Sequence, residues 1–403
     1  MSHPDRFRFF VTCARGTEGA LRRELIALRI GSPKGDAGGV WFEGPLRMGM
    51  AVCLYARVAV RVLLQISDFA ATTTDQLYAG ARAVDWTAWL STKSTLAVHA
   101  SIRTPEVGQG AARGLTHSVY AALKVKDAVV DMLRDKLGAR PNVDAKDPDV
   151  GLVLHVADDR ARLFLDLAGE SLHRRGYRVA MTDAPLKETL AAAVLALGGV
   201  RTDEPFVDPM GGSGTLAIEQ ALAARDIAPG LARTRFGFER WPAFTDAERR
   251  AWRELRDEAR AREATGRDGP APAPIVCADG AADALAAARR NAAAAGIAAD
   301  IQFERADVGD AGDLARRWPR GAVCTNPPYG ERLADRDLVA LYRRMAVAFT
   351  RIMAAGAWPI VILSGNPLLG REMRIKPRVS HRLFNGALEV RLLRYEPAAR
   401  DRL

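Results

Sequence analysis

The stretch PFVDPMGGSGTLAIEQALAAR, residues 205–225, decides the fold. Pro205 to Asp208 reads as a short buried strand, the glycines as a tight turn, and Gly214 to Arg225 as an alanine-rich helix. Working outward, Leu186 to Leu197 predicts a helix ended by Gly198-Gly199. Downstream, strands are expected at Ile275–Asp279, Ile301–Glu304, Ala322–Thr325 and Trp358–Leu363, with helices between them. One of these helices, Ala281 to Ala295, is closed by Gly296. Strand and helix in alternation mean a mostly parallel sheet covered on both faces. Leu388 to Tyr395 alternates as a closing antiparallel strand would. A long insert with GFERW (237–241) and a charged helix, Ala247 to Ala264, interrupts the alternation, and the linker Thr265 to Pro274 returns the chain to the sheet.

The first 180 residues read as α+β. Strands are expected at Phe7–Thr12, Val40–Phe42, Arg57–Ile66, Leu96–Ile102, Val150–Val156 and Arg162–Leu167. Ala20, Leu21, Leu25 and Leu28 have the spacing of an amphipathic helix over Gly19–Leu28. Val119 to Leu137 predicts another, with Lys124, Lys126 and Arg134 on its polar face.

With 403 residues the chain has room for two or three domains, and 48% hydrophobic with 26% charged residues is an ordinary globular composition. Lys and Arg total 58 against 48 acids, a net charge of +10 shared by both halves. That suits a polyanionic partner such as RNA, although charge alone speaks only of encounter and solubility. The start, MSHPDRFRFFVTCARG, is charged where a signal peptide needs an apolar run, and Leu190 to Val200 is too short for a membrane helix. Cys13, Cys53, Cys277 and Cys324 form no CxxC pair, and the histidines show no metal spacing; His99, His117 and His155 are read as structural. A reducing cytoplasm and no structural metal follow as expectations.

Three features carry chemistry. Asp208-Pro209-Met210-Gly211-Gly212-Ser213-Gly214-Thr215 lacks the GK[ST] ending of a phosphate loop and the spacing of GxGxxG. A strand-closing carboxylate followed by Gly-x-Gly suits a ligand carrying an ammonium and a carboxylate, such as the methionine end of S-adenosylmethionine. The alternative is a plain strand-to-helix turn. Asp279 closes the second strand, where an acid can hold ribose hydroxyls. Asp307 follows the third strand, where a carboxylate can accept from an adenine amine; either acid could instead be a helix cap. In Asn326-Pro327-Pro328-Tyr329 the two prolines fix the backbone, so that the Asn326 oxygen and the Pro327 carbonyl can accept from one exocyclic amine. Tyr329 can stack on the ring that bears it. A proline-rich surface turn is the bland alternative.

DPMGGSGT (208–215), NPPYGERL (326–333), FNGALEV (384–390), KVKDAVVD (124–131), RPNVD (140–144) and LDLAGESLHRRGYR (165–178) together resemble the THUMP-containing 23S rRNA guanine-N2 methyltransferases. The resemblance covers nearly the whole chain. It implies a Rossmann-like class I methyltransferase domain, an α/β fold with a mostly parallel sheet and antiparallel last strand, behind an α+β ferredoxin-like/THUMP RNA-binding region. The expected divisions are 1–45 ferredoxin-like, 46–157 THUMP, 158–185 linker and 186–403 methyltransferase. It further implies methyl transfer from S-adenosyl-L-methionine to the N2 amine of a guanine, with guanine 2445 as the suggested position. The expected partner is 23S rRNA or an early large-subunit precursor, with tRNA as the other candidate, and neither a membrane nor an obligate protein partner. A monomer is the default.

By position, the resemblance puts Asp208, Pro209, Gly212 and Gly214 at the methionine end, Asp279 on ribose, Asp307 on adenine, and Asn326, Pro327, Pro328 and Tyr329 on the target guanine. RNA is expected at Lys124, Lys126, Arg174, Arg175, Arg371, Arg374 and Lys376, each of which could also be plain charged surface. Arg332 would brace its loop or touch substrate. There are departures from the family pattern. Gly211 stands where cysteine is common, and Cys277 where glycine is usual, which would crowd the cofactor slightly. Some relatives carry a second methyltransferase domain, and an activity belonging to it is not expected of this sequence.

Overall fold

The computed structural model describes residues 6–103, 115–181, 185–329, 335–356 and 358–397. Its first half holds β1 (Phe7–Thr12), α1 (Glu18–Ala27), β2 (Lys34–Asp36), β3 (Gly39–Gly44), α2 (Leu46–Tyr55), β4 (Arg61–Ala70), α3 (Thr74–Arg82), β5 (Thr95–Arg103), α4 (Ser118–Leu137), β6 (Asn142–Val143), β7 (Val150–Ala157) and β8 (Arg160–Asp166). These strands form one sheet in the order β2-β3-β1-β4-β8-β7-β5-β6. Alternation in β1 sends Phe9 and Val11 into the core, where Phe9 stacks on Phe42 with ring centroids 4.7 Å apart.

The sheet runs on across two of the expected divisions. The strand β4 pairs with β1 on one side and with β8 on the other, so the chain on both sides of residue 45 belongs to one sheet. The strand β8 lies between β4 and β7, so residues 160–166 are central sheet and not linker. Residues 57–60 are not strand because Arg57 is drawn sideways. Its amide and that of Val58 donate to the Glu24 carboxylate, while its guanidinium donates to the Leu222 and Ile227 carbonyls.

The second half holds α5 (Glu188–Leu197), β9 (Phe206–Asp208), α6 (Thr215–Ala224), α7 (Asp246–Asp268), β10 (Ile275–Asp279), α8 (Ala282–Ala294), β11 (Ile301–Arg305), α9 (Ala311–Ala315), β12 (Ala322–Thr325), α10 (Asp335–Ala355), β13 (Ile360–Ser364), α11 (Pro367–Met373), β14 (Val379–Asn385) and β15 (Leu388–Tyr395). The sheet order is β11-β10-β9-β12-β13-β15-β14, parallel through β13, with β15 antiparallel to both neighbours. The order reverses between β9 and β12, the crevice in which an open α/β sheet takes its ligands.

The insert fastens the halves together. Its Phe236, Phe238, Trp241, Phe244 and Trp252 belong to the first half's core, and Trp241 meets Trp89 edge-on at 5.9 Å. Among the described residues no helix is long and apolar enough to cross a membrane, no group of His, Cys, Asp and Glu could hold a metal, and the four cysteines are free.

Candidate active site

A cleft of about 890 Å³ opens at the carboxyl ends of β9, β10 and β12. Asp208, at the end of β9, is almost fully buried, and its Oδ1 accepts from the Thr325 hydroxyl at 2.8 Å and the Met210 amide at 3.2 Å. Burial pushes its carboxyl up to about 7, against the pull of those two donors and with a further push from Asp279. Oδ2 takes no hydrogen bond from the described residues. A buried carboxylate left half-satisfied in this way can accept a cation's charge and donors.

The loop after Asp208 is held from below and from the side. The Gly211 amide donates to the Ala278 carbonyl at 2.8 Å, and the Gly214 amide donates to the Gly211 carbonyl at 2.8 Å. Gly212 and Gly214 have φ of +54° and +84°, the left-handed region that favours glycine. A Cβ on Gly212 would meet nothing within 4 Å, so this backbone borders the open cleft. Asp279 accepts from the Gly212 amide at 2.9 Å and from the Ala281 amide at 2.9 Å. The second acid thereby shapes the loop as well as lining the cleft. Pro209 is buried behind the loop and Gly214 lies beneath its turn; neither lines the cleft.

Across the cleft, Asn326 Oδ1 accepts from the Tyr329 hydroxyl, which fixes which way the carboxamide points. An amide oxygen has two lone pairs, so one remains for a substrate amine. The Pro327 carbonyl takes no hydrogen bond from the described residues. The Pro328 carbonyl is occupied by the Tyr342 hydroxyl at 2.7 Å, and the Tyr329 carbonyl by Asn366 Nδ2 at 2.9 Å. The Tyr329 ring lies against Gly365, where an added Cβ would stand 2.8 Å from it. Burial pushes its phenol well above the ordinary tyrosine range. The loop is therefore fixed from outside, and Asn326, Pro327, Pro328 and Tyr329 all line the cleft.

Several expectations fail on geometry. Asp307 is exposed and does not line the cleft; its Oδ1 accepts from the Gly309 amide at 2.8 Å and pairs with Arg344 at 3.4 Å, the work of a cap. Arg175 is buried, donating to the Leu172 and Arg57 carbonyls with Glu219 at 3.6 Å, so it braces the junction and is out of reach of RNA. Cys277 is fully buried and crowds no ligand, because its Sγ lies 2.4 Å from where a Cβ on Gly211 would be. Gly211 and Cys277 thus share one volume across the loop.

Among the expected RNA residues, Arg174 lines a second, larger cleft. Lys124, held over the Tyr120 ring, and Lys126, paired with Asp127, line neither cleft. Arg371, Arg374 and Lys376 are exposed beyond both. Arg332 lies outside the described residues.

Sequence reasoning passed over the residues that brace the site. Asn291 on α8 accepts from the Val179 and Ala180 amides and donates to the Ala180 and Ser213 carbonyls, all at 2.9–3.0 Å. Arg178 reaches Glu188 at 2.8 Å, Ser213 at 3.1 Å and Thr215 at 3.1 Å. A lone asparagine on the buried alanine face of a helix was the available signal for Asn291. The turn residues Asn385 and Leu388 also line the cleft. The strand β14 runs parallel to the central strands, which carries its end to the same edge of the sheet.

These residues fit the methionine half of S-adenosylmethionine: a half-satisfied buried carboxylate beside glycine backbone that borders open space. Residues 175–394 match the RMKL-like methyltransferase domain family, 71–166 the THUMP domain and 8–63 the RlmL ferredoxin-like domain. A ribosomal RNA large subunit methyltransferase K/L from Syntrophotalea carbinolica is 41% identical over 97% of this chain and 54% of its own length. The chain thus spans about half the length of the curated relatives it matches. Among solved structures, a putative methyltransferase, SMU.472, complexed with SAH is 28% identical with a TM-score of 0.83, covering 98% of this chain and 99% of that one. A predicted N6-adenine-specific DNA methylase from Listeria monocytogenes is 30% identical with a TM-score of 0.82, covering 97% of this chain and 96% of that one. By its sequence match from residue 175 onward, and with the ferredoxin-like and THUMP units that precede it, the chain belongs to the RMKL-like methyltransferase domain family.

Proposed function

We propose that this chain methylates RNA, transferring a methyl group to the exocyclic N2 amine of a guanine in large-subunit ribosomal RNA. The observation that carries this reading is the Asn326 carboxamide, its oxygen oriented by Tyr329, in one cleft with Asp208, Gly212 and Asp279. S-adenosylmethionine supplies the methyl group, with Asp208 facing its ammonium, Gly212 its methionine end and Asp279 its ribose. Asn326 Oδ1 and the Pro327 carbonyl accept from the target amine, which turns its lone pair away from them and toward the donor side of the cleft. Holding the amine in that pose is most of the catalysis. No strong base is required, since the proton is lost after transfer. The THUMP unit and the large-subunit rRNA relatives support an RNA target, and tRNA is the alternative to test beside it.

Asn326→Ala tests the assignment. S-adenosylhomocysteine should bind it as it binds the wild type, while transfer falls by roughly 10²-fold or more, the scale for losing a positioned transition-state contact. Near-normal turnover in this variant would refute the role of Asn326.

A further inference from the structure

The larger cleft, about 1150 Å³, runs between the two halves of the chain. Besides the buried Arg175, its lining includes eight Lys and Arg side chains against four carboxylates. It shares Met181, Pro185 and Leu186 with the methyl-transfer cleft, so the two form one trough. Lys146 and Lys187 are exposed on opposite halves, and no carboxylate lies within ion-pair distance of either among the described residues. Arg174 and Arg235 hold only exposed acids, Glu170 and Asp147, in pairs that exchange readily for another anion. Arg233 donates to four backbone carbonyls and makes no direct ion pair among the described residues, which leaves a positive charge beneath the floor. Burial and the neighbouring Lys187, Arg174, Arg175 and Arg178 lower His173 to about 4, in keeping with a strongly positive site. At the seam Met181 is 74% exposed, an apolar side chain in the path of anything entering the target cleft.

We propose that the inter-half cleft carries the RNA strand flanking the target base, with Lys146, Lys187, Arg174 and Arg235 on successive phosphates and Met181 against the neighbouring base. This rests on the RNA-methyltransferase reading above. A cationic trough that leads into a base-holding cleft matches a single strand, whose charge repeats at every nucleotide. The test compares wild type with Lys146→Ala/Lys187→Ala on unmodified 23S rRNA transcript across a salt series. The logarithmic salt dependence of binding should flatten by about 0.7 per lost phosphate contact. KM should rise, while kcat at saturating RNA and S-adenosylhomocysteine affinity stay unchanged. An unchanged salt slope and RNA affinity would overturn the proposal, and would leave the cleft to an acidic protein or to solvent. If wild type transfers no methyl to RNA yet the slope still flattens, the cleft assignment stands and the methylation reading falls.

A separate observation concerns the FNG turn. Asn385 lines the target cleft with Asn326 and Tyr329, and its carboxamide makes no hydrogen bond among the described residues. The preceding Phe384 is covered by Arg15 of the first half, 4.9 Å from its ring, and Gly16 lies so close to the Arg382 carbonyl that an added Cβ would stand 2.2 Å from it. The first half therefore holds this turn in place. Once Asn326 and Pro327 hold N2, a guanine still presents N1–H and O6, a donor and an acceptor that one carboxamide can satisfy together. We infer that Asn385 reads that edge and separates guanine from other amine-bearing bases. Wild type should prefer guanine over 2-aminopurine at the target site roughly 10- to 100-fold, the scale of one bidentate base contact. Asn385→Ala should lose that preference by slowing on guanine alone, with S-adenosylhomocysteine affinity intact. Full preference retained in the variant would overturn the assignment; no methylation of guanine by wild type would instead overturn the proposed function.

Discussion

Replacing Gly211 by cysteine places a Cβ 2.4 Å from Cys277 Sγ and 3.4 Å from the Ala278 carbonyl. Gly211 is outside the left-handed region, so the penalty is steric and not conformational. Neither neighbour can retreat easily. Cys277 is fully buried in β10, and the Ala278 carbonyl already accepts from the Gly211 amide. Overpacking of this kind costs about 1–3 kcal/mol. Cys277→Gly alone removes a small buried side chain and adds strand entropy, about 1–2 kcal/mol together. The double variant restores the volume from the other side of the loop and should return to within about 1 kcal/mol of wild type, a coupling of about 1–3 kcal/mol within the range measured for contacting residues. Urea unfolding of the four proteins, followed in parallel with S-adenosylhomocysteine affinity, reads this cycle. Gly211→Cys should also weaken ligand binding, because the displaced segment is the loop that borders the ligand. Additive destabilisation, or a Gly211→Cys protein as stable as wild type, would refute the reasoning.

Other consequences follow from the same geometry. Asp208 has a folded pKa raised to about 7 from an ordinary 3.8, so its contribution to stability is complete below 3.8 and is lost as pH rises through about 7. Asp208→Asn should therefore be more stable than wild type above pH 7. The ammonium ligand needs the ionised form, so S-adenosylhomocysteine affinity in wild type should fall about tenfold per pH unit below 7, and Asp208→Asn should bind weakly with a flat profile by calorimetry. Asp279→Ala removes the acceptor of the Gly212 amide as well as the ribose contact, and should weaken the ligand at least tenfold; an unchanged dissociation constant would remove Asp279 from the site. Tyr329→Phe keeps the ring and frees the Asn326 carboxamide to flip. Its kcat should drop about tenfold or more with ligand affinity unchanged, and a silent substitution would show that the hydroxyl orients nothing.

Much of the second half is legible in the sequence because β9, β10, β12 and β13 are short apolar runs followed within two residues by glycine or proline. The helices α5, α6 and α8 are long enough to show their period, whereas the polar β14 and the short α9 and α11 give no such signal. The carboxylates at 208 and 279 and the NPPY turn fall at strand ends, and the switch of strand order brings those ends together. The first half reads less well for physical reasons. The helix α2 carries Gly49, which its close approach to Phe9 requires, since a Cβ there would be 2.6 Å from the ring. The glycine that permits the packing also hides the helical signal. Arg57 interrupts a perfectly alternating stretch because its partners, Glu24, Leu222 and Ile227, are distant in sequence. Arg175 looks like part of a basic run, and only the fold reveals that it points inward. Asp307 shares its strand-end position with Asp279 but turns to cap the next helical turn, a choice between two local bonds that spacing does not reveal.

The central claim is chemical, and nucleoside mass spectrometry after methyl transfer tests it most directly. Unmodified 23S rRNA and tRNA would be incubated separately with the full chain and labelled S-adenosylmethionine, then digested. The account predicts label in N2-methylguanosine from the 23S rRNA, absent from the Asn326→Ala reaction. Label in a different nucleoside, or none in rRNA from a protein that binds S-adenosylhomocysteine normally, would contradict it.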